Sequence, residues 1–243
     1  MTSGDLLARY RRGQHDEVWN ELRAHEFVVG DFLDEANTVA IETMKRVAFN
    51  ADLLAERLAA RGWKALWGSL RTAPQTEDAE VIERIEELTG ARLPVSLRAF
   101  WEVVGGINFV WDYNSEEPPD LGGDLVMEDP LCIYSPHEIA DEIEFWESDR
   151  EDLSPEDWGP FSLPLAPDYL HKAQISGSDA YAIELPFTGV DPIFANEGHD
   201  LPFVDYLRLC FKFAGFPRLE RYPDRTPATR SFLTEMAKGL EPF

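Results

Sequence analysis

Two cysteines in 243 residues are too few for a disulfide scaffold. Cys132 and Cys210 lie far apart, each in an apolar run, without the spacing of a metal-ligand pair. They read as buried thiols in a reducing compartment. Long hydrophobic runs are absent too, and the opening stretch MTSGDLLARYRRG has no apolar signal-peptide core. The expectation is a cytoplasmic chain with no membrane partner. Positive charge is scarce: 22 Lys and Arg face 46 Asp and Glu, for a formal net charge of −24. A small soluble domain typically carries a magnitude of about 2–8. Such an excess disfavours nucleic acid and anionic membranes as partners and favours a basic protein; composition supports equally an acidic surface that simply aids solubility.

The usual catalytic and nucleotide-binding patterns are missing as well. There is no GxGxxG, Walker A, HExxH or GxSxG. The five histidines, His15, His25, His137, His171 and His199, are scattered singly, whereas a metal site needs converging ligands. Asp112-x-Asn114-x-Glu116 begins like a calcium loop, but Glu117 stands where the turn requires glycine and Gly123 holds the twelfth position. Ser176-Gly-Ser178-Asp179 with His171 nearby is the nearest approach to hydrolytic parts, and a hairpin turn calls for the same residues. The expectations are therefore no enzyme, no catalytic residue, no cofactor and no metal.

Enough apolar sequence remains for a full core: 44% hydrophobic and 12% aromatic. Residues 15–28 place Val18, Trp19, Leu22 and Phe27 near one helical face. After Gly30, residues 32–61 form a longer helix whose Leu33, Ala36, Ala40, Met44, Val47, Ala51, Leu54 and Leu58 step by three or four. Gly62 ends it. The two make an αα-hairpin. Its seam either docks on the following domain, the favoured reading, or forms a homodimer. Trp63, Leu66, Trp67 and Leu70 then cover the joint, and 71–76 read as a linker. This divides the chain into an N-terminal helical extension, 1–75, and an α+β domain, 76–243.

Residues 81–106 are the most structured stretch to the eye. Val81, Ile82, Ile85 and Leu88 make one helical stripe, Gly90 suits a left-handed C-terminal cap, and Pro94 suits the first turn of a second helix. Leu97, Phe100, Trp101 and Val104 give that helix its apolar face, and Gly105-Gly106 stops it before the strand-like run Ile107–Trp111. Further strands are expected at Leu131–Tyr134, Phe161–Ala166, Ala180–Leu185 and Asp191–Asn196, with helices at about 135–150, 201–215 and 226–239. Ser135, Pro136 and Glu138 have capping-box spacing. Helices followed by strands interrupted by helices define an α+β pattern.

Glu86, Leu88, Gly90, Leu93-Pro94, Leu97, Phe100 and Gly105-Gly106 resemble the Smi1/Knr4-type family, called SUKH in bacteria, with a second match at Phe203-Val-Asp-Tyr-Leu207. Val104 departs from the pattern, which often has Asn before that glycine turn. The resemblance covers roughly residues 76–216. It implies a mixed β-sheet with helices packed on it, and a structural role for Glu86, Gly90, Leu93, Pro94, Phe100, Gly105 and Gly106. It also implies a bacterial immunity protein that neutralises a toxin, many such toxins being basic nucleases. The rivals are a regulatory interaction module of the Smi1/Knr4 kind and a hydrolase with an unrecognised site.

Residues 112–157 hold seventeen Asp or Glu and one Arg, Arg150. Their expected role is to meet the cationic surface of a toxin. The expected toxin-binding set is Asp112, Tyr113, Glu116, Glu117, Asp120, Asp124, Glu128, Asp129, Glu138, Asp141 and Glu142. Trp111, Tyr113 and Trp158 flank it as candidate apolar anchors. The partner is a cognate basic protein, and the protein itself a monomer or homodimer.

Overall fold

The thirty-residue helix α3 (Asp31–Ala60) runs through the fold, and its apolar stripe decides what packs where. Ala36, Val39, Ala40, Met44, Val47, Ala51, Leu54 and Leu58 are buried, covered by elements of the same chain. The computed structural model describes residues 5–25, 28–90, 92–113, 119, 129–140, 143, 148, 161–222, 224 and 226–243. Two short helices precede α3: α1 (Asp5–Arg11) and α2 (His15–Arg23). α1 packs on α3, and α2 anchors through Trp19, whose indole N–H donates to Thr43 Oγ1 at 3.1 Å. α2 ends at Arg23, short of the expected residue 28; Phe27 lies outside the described residues, and α3 starts after Gly30, which has a φ of 60°.

After α3 the chain forms β1 (Arg71–Thr72), α4 (Asp78–Thr89), α5 (Val95–Val103) and β2 (Gly106–Asn108). It continues with β3 (Cys132–Ile133), β4 (Phe161–Ala166), α6 (Tyr169–Lys172), β5 (Tyr181–Leu185), α7 (Phe203–Lys212) and α8 (Pro227–Ala237). The fold is α+β. β1, β2 and β3 pair antiparallel in that order, and β4 pairs antiparallel with β5. The described ladders are antiparallel rather than mixed. One backbone bond, Tyr134 N–H to Leu165 O at 2.8 Å, joins the two sheets.

β1 lies before residue 76 yet is an outer strand of the first sheet, so the expected division at 75/76 separates that strand from its partner. The segment leading to it is bound to the same region. Trp63 Nε1–H donates to Phe109 O at 2.9 Å, Leu66 N–H to Val110 O at 2.7 Å, and the Trp63 ring meets those of Trp111 and Phe216. The helical seam, the two sheets and the later helices share one apolar core. α3 also holds the last residues of the chain. Arg57 donates to the carbonyls of Met236 and Lys238, Asn50 exchanges two bonds with Glu241, and Arg46 reaches Pro242 O.

Several elements are shorter than the sequence pattern suggests, for identifiable reasons. The run Ile107–Trp111 is strand only as far as Asn108; Phe109 N–H still reaches Leu131 O at 2.9 Å, but the next N–H, of Val110, turns to the Asn108 side chain, which itself donates to Trp67 O. Asp191–Asn196 contributes two isolated bridges, Ala182 with Ala195 and Ile193 with Pro202. The capping box at Ser135 is present, with Ser135 N–H donating to Glu138 Oε2 at 2.7 Å, and it starts a 3-10 turn over Pro136–Ile139. Most of the helix expected beyond it lies outside the described residues.

The corner between α4 and α5 follows the sequence closely. Gly90 adopts the left-handed cap of α4, with φ 65°, and Pro94 stands one position earlier than expected, as the N-cap of α5. Glu86 fixes the turn: its Oε1 accepts the Leu93 N–H at 2.9 Å and Arg98 Nη1–H at 2.7 Å. At the far end of α5 the backbone of β1 presses on Gly105. A Cβ there would lie 2.4 Å from Thr72 O and 2.8 Å from Pro74 N, on a residue with φ 83°. Backbone cannot yield as a side chain can. Gly105→Ala is expected to destabilise the protein by at least about 2 kcal/mol, read as a lower midpoint in chemical denaturation.

Candidate functional site

Both ends of the first acidic stretch are tied to α6 (Tyr169–Lys172) and the residues just after it. α6 is started by Asp168, whose carboxylate accepts the Leu170 N–H at 2.8 Å. Its last residue, Lys172, points into the core and donates to Asp129 Oδ1 at 2.7 Å. Tyr181 on β5 donates its hydroxyl to the other oxygen of Asp129 at 2.9 Å, and Lys172 Nζ lies 4.5 Å from the centre of the Tyr181 ring. Just past α6, Gln174 Nε2–H donates to Trp111 O at 2.7 Å. Trp111 precedes the acidic segment and Asp129 follows its first part.

Asp129 is therefore not a surface acid. It is 1% exposed and its charge is matched by Lys172, itself 1% exposed. A carboxylate and an ammonium survive in apolar surroundings only by pairing and hydrogen bonding, and both happen here. Burial, then the nearby Asp129 carboxylate, push the Tyr181 phenol up. Glu138 is exposed at its tip but engaged: it closes the capping box and accepts the Trp67 indole N–H at 3.0 Å. Asp112 and Tyr113 are half-buried, and burial raises the Tyr113 phenol to about 12. Trp111 is buried in the core. Glu116, Glu117, Asp120, Asp124, Glu128, Asp141, Glu142 and Trp158 lie outside the described residues.

Three of the residues assigned a structural role, Glu86, Gly90 and Leu93, border openings. Glu86 and Leu93 line a cleft of about 710 Å³ between the start of α3, the α4–α5 corner and the loop after β5. Glu86 and Gly90 line a smaller one of about 400 Å³ beside it. Arg98 on α5 bridges Glu86 and Glu102, at 2.7 and 2.9 Å. Phe100 is buried deeper, in edge contact with Phe203 of α7.

His171 pairs with Asp168, not with Asp179, which is exposed. The pair sits against Gly177, where a Cβ would lie 2.5 Å from the carboxylate and 2.6 Å from the imidazole. Burial alone would raise the Asp168 carboxyl, but hydrogen bonds from His171, Leu170 N–H and Ser178 N–H outweigh it and lower it. Those bonds make Asp168 a cap for α6 and a tie to the 176–178 turn. His199 is bracketed by Glu197 at 2.6 Å and Glu220 at 3.0 Å. Among the described residues no three His, Cys, Asp or Glu are grouped to hold a metal ion, and no described helix is long and apolar enough to cross a membrane. Cys132 and Cys210 are free and buried, and burial raises the Cys132 thiol to about 12.

No family model, curated protein or solved structure matches the chain.

Two tests follow from these contacts. Lys172→Met strands a buried carboxylate and is expected to cost about 3–5 kcal/mol in denaturant titration, most of it recovered when Asp129→Leu is added. Hydrogen bonding holds the Asp168 carboxyl below its unfolded value of about 3.9, so its contribution is complete well above that pH and is lost as pH falls through the lowered folded value. The stability gap between the native protein and Asp168→Asn should therefore narrow over that range in melts at stepped pH.

Proposed function

We propose that the protein is a binding module that neutralises a basic protein partner by covering its cationic surface. On the resemblance at the α4–α5 corner, the reading is a bacterial immunity protein whose partner is a toxin. The observation that carries the proposal is how the charges are distributed. Many of the scarce arginines are engaged within the chain. Arg9 pairs with Glu21, Arg23 with Asp191 and Asp205, Arg98 with Glu86 and Glu102, and Arg208 with Asp205. Arg46 and Arg57 bind carbonyls of the final residues, and Lys172 is buried with Asp129. Residues 112–157 meanwhile concentrate seventeen acids with one arginine.

Charge of that density suits rapid capture. Complementary potentials raise association from about 10⁵–10⁶ to about 10⁸–10⁹ M⁻¹s⁻¹ at low salt. Speed matters to a protein that must reach a toxin before its substrate does. The ties from Gln174 to Trp111 and from Lys172 to Asp129 support the role by anchoring both flanks of the first acidic stretch. The free, buried thiols suit the cytoplasm, where this reading places the protein.

The test is co-expression with the product of the neighbouring gene, followed by titration at about 50 mM and about 500 mM salt. Changing Asp112, Glu116, Glu117, Asp120, Asp124 and Glu128 together to Lys is expected to weaken binding at least about tenfold at low salt and to remove most of its salt dependence. Unaltered affinity would reject the segment as the contact. Growth rescue of cells expressing that product separates an immunity protein from a regulatory module.

A further inference from the structure

The 710 Å³ cleft lies within the range of about 300–1,000 Å³ typical of binding pockets. Its lining is mixed: Leu33 and Ile41 from α3, Leu93 from the corner and Phe187 from the loop after β5 share it with Asn37 and four charged side chains. Val29, 73% exposed, stands at its edge. A surface valine of that exposure beside half-buried Leu33 and Phe187 leaves apolar area in water that a partner could remove. Within the cleft two glutamates balance Arg92 and Arg98, and the acidic excess comes from the opening beside it. Glu86 and Glu102 line the cleft itself, and Glu83 and Glu87 line the adjoining one, which shares Glu86 and Arg92. The positive charge of Arg98 is already held by Glu86 and Glu102, which leaves exposed Arg92 to face the remaining acids.

We infer that this cleft is a docking groove for a basic, apolar segment of a partner protein, in which Leu- or Phe-like side chains enter the cleft and Lys or Arg meet the glutamate rim. The inference rests on the reading of a basic partner and gives that partner a second, apolar foothold. Charge steers an encounter, but tightness comes from a few desolvated anchors, and the cleft supplies a place for them. A small anion or an acidic peptide would meet four glutamates against two arginines. A second copy would bring its own −24 against the same rim.

The probe is a fluorescein-labelled peptide of about a dozen residues alternating Lys with Leu, compared with a Ser-for-Leu version of equal charge and a Glu-for-Lys version, by anisotropy. The expected order is Lys/Leu tightest by at least about tenfold, then Lys/Ser, with no binding of Glu/Leu. Val29→Asp, at an exposed position, is expected to reduce Lys/Leu affinity about tenfold with the thermal midpoint kept, and Phe187→Ala to reduce it similarly with a lower midpoint, since Phe187 packs on the core. Amide exchange with Lys/Leu bound should slow at 28–33, 92–102 and 187–189. Equal affinity for Lys/Leu and Lys/Ser, or protection elsewhere only, overturns the groove while leaving an electrostatic partner in place. Failure of both Lys peptides at low salt overturns the basic-partner reading itself. Binding of Glu/Leu, or a doubled mass lost in Phe187→Ala, assigns the cleft to an anion or to a second copy and overturns the inference.

Discussion

Burial of one face of α3 is the constraint on which the other contacts depend. A thirty-residue helix with an apolar stripe along its length cannot stand alone in water. α1 and α5 cover that stripe, and Thr43 within it receives the indole of Trp19. The polar positions beside it are put to use as well. Arg46, Asn50 and Arg57 satisfy carbonyls of the last residues, and Asp52 pairs with Arg71 at the sheet. Helical hairpin, sheet and final segment are held by the same element, so the N-terminal helices are part of the core rather than an attachment to it.

The α4–α5 corner shows how few groups fix a direction change. Gly90 supplies the left-handed cap, Glu86 collects the Leu93 N–H and Arg98, and the absence of a Cβ at Gly105 lets β1 lie against the end of α5. Arg71 completes the arrangement. Its Nη1 donates to the carbonyls of Thr72, Val104 and Gly106, closing the exit of α5 onto the first sheet. The corner then serves twice, since Glu86, Leu93 and Arg98 also line the larger cleft.

An acidic chain must still bury some charge. Asp129 with Lys172 and Tyr181, and Asp191 with Arg23, do this by pairing inside the fold. Desolvation raises the Asp191 carboxyl, and Arg23 and the Val204 N–H act against it. Such pairs stabilise little compared with well-packed apolar groups, but they are intolerant of losing one member. They fix geometry: the chain after the first acidic stretch enters the core at a position set by Lys172.

Much of the local structure was legible in the amino acids. The stripe of α3, the Gly90 cap, the Ser135–Glu138 box and the Thr226-Pro227 start of α8 all appear where their patterns occur, because each depends on residues within a few positions. Tertiary contact decided the rest. Asn108 ended a strand early by bonding to Trp67, 41 residues away, and Asp129 left the acidic surface because Lys172 lies 43 residues further on. Nothing near Asp129 in the chain distinguishes it from the acids before it. What the sequence alone determined, then, was periodicity, caps and the sign of the charge. Which carboxylates face water, and that a corner of structural residues also walls a cleft, was decided only when distant segments met, since desolvation depends on the whole surroundings of a group and not on its neighbours in the chain.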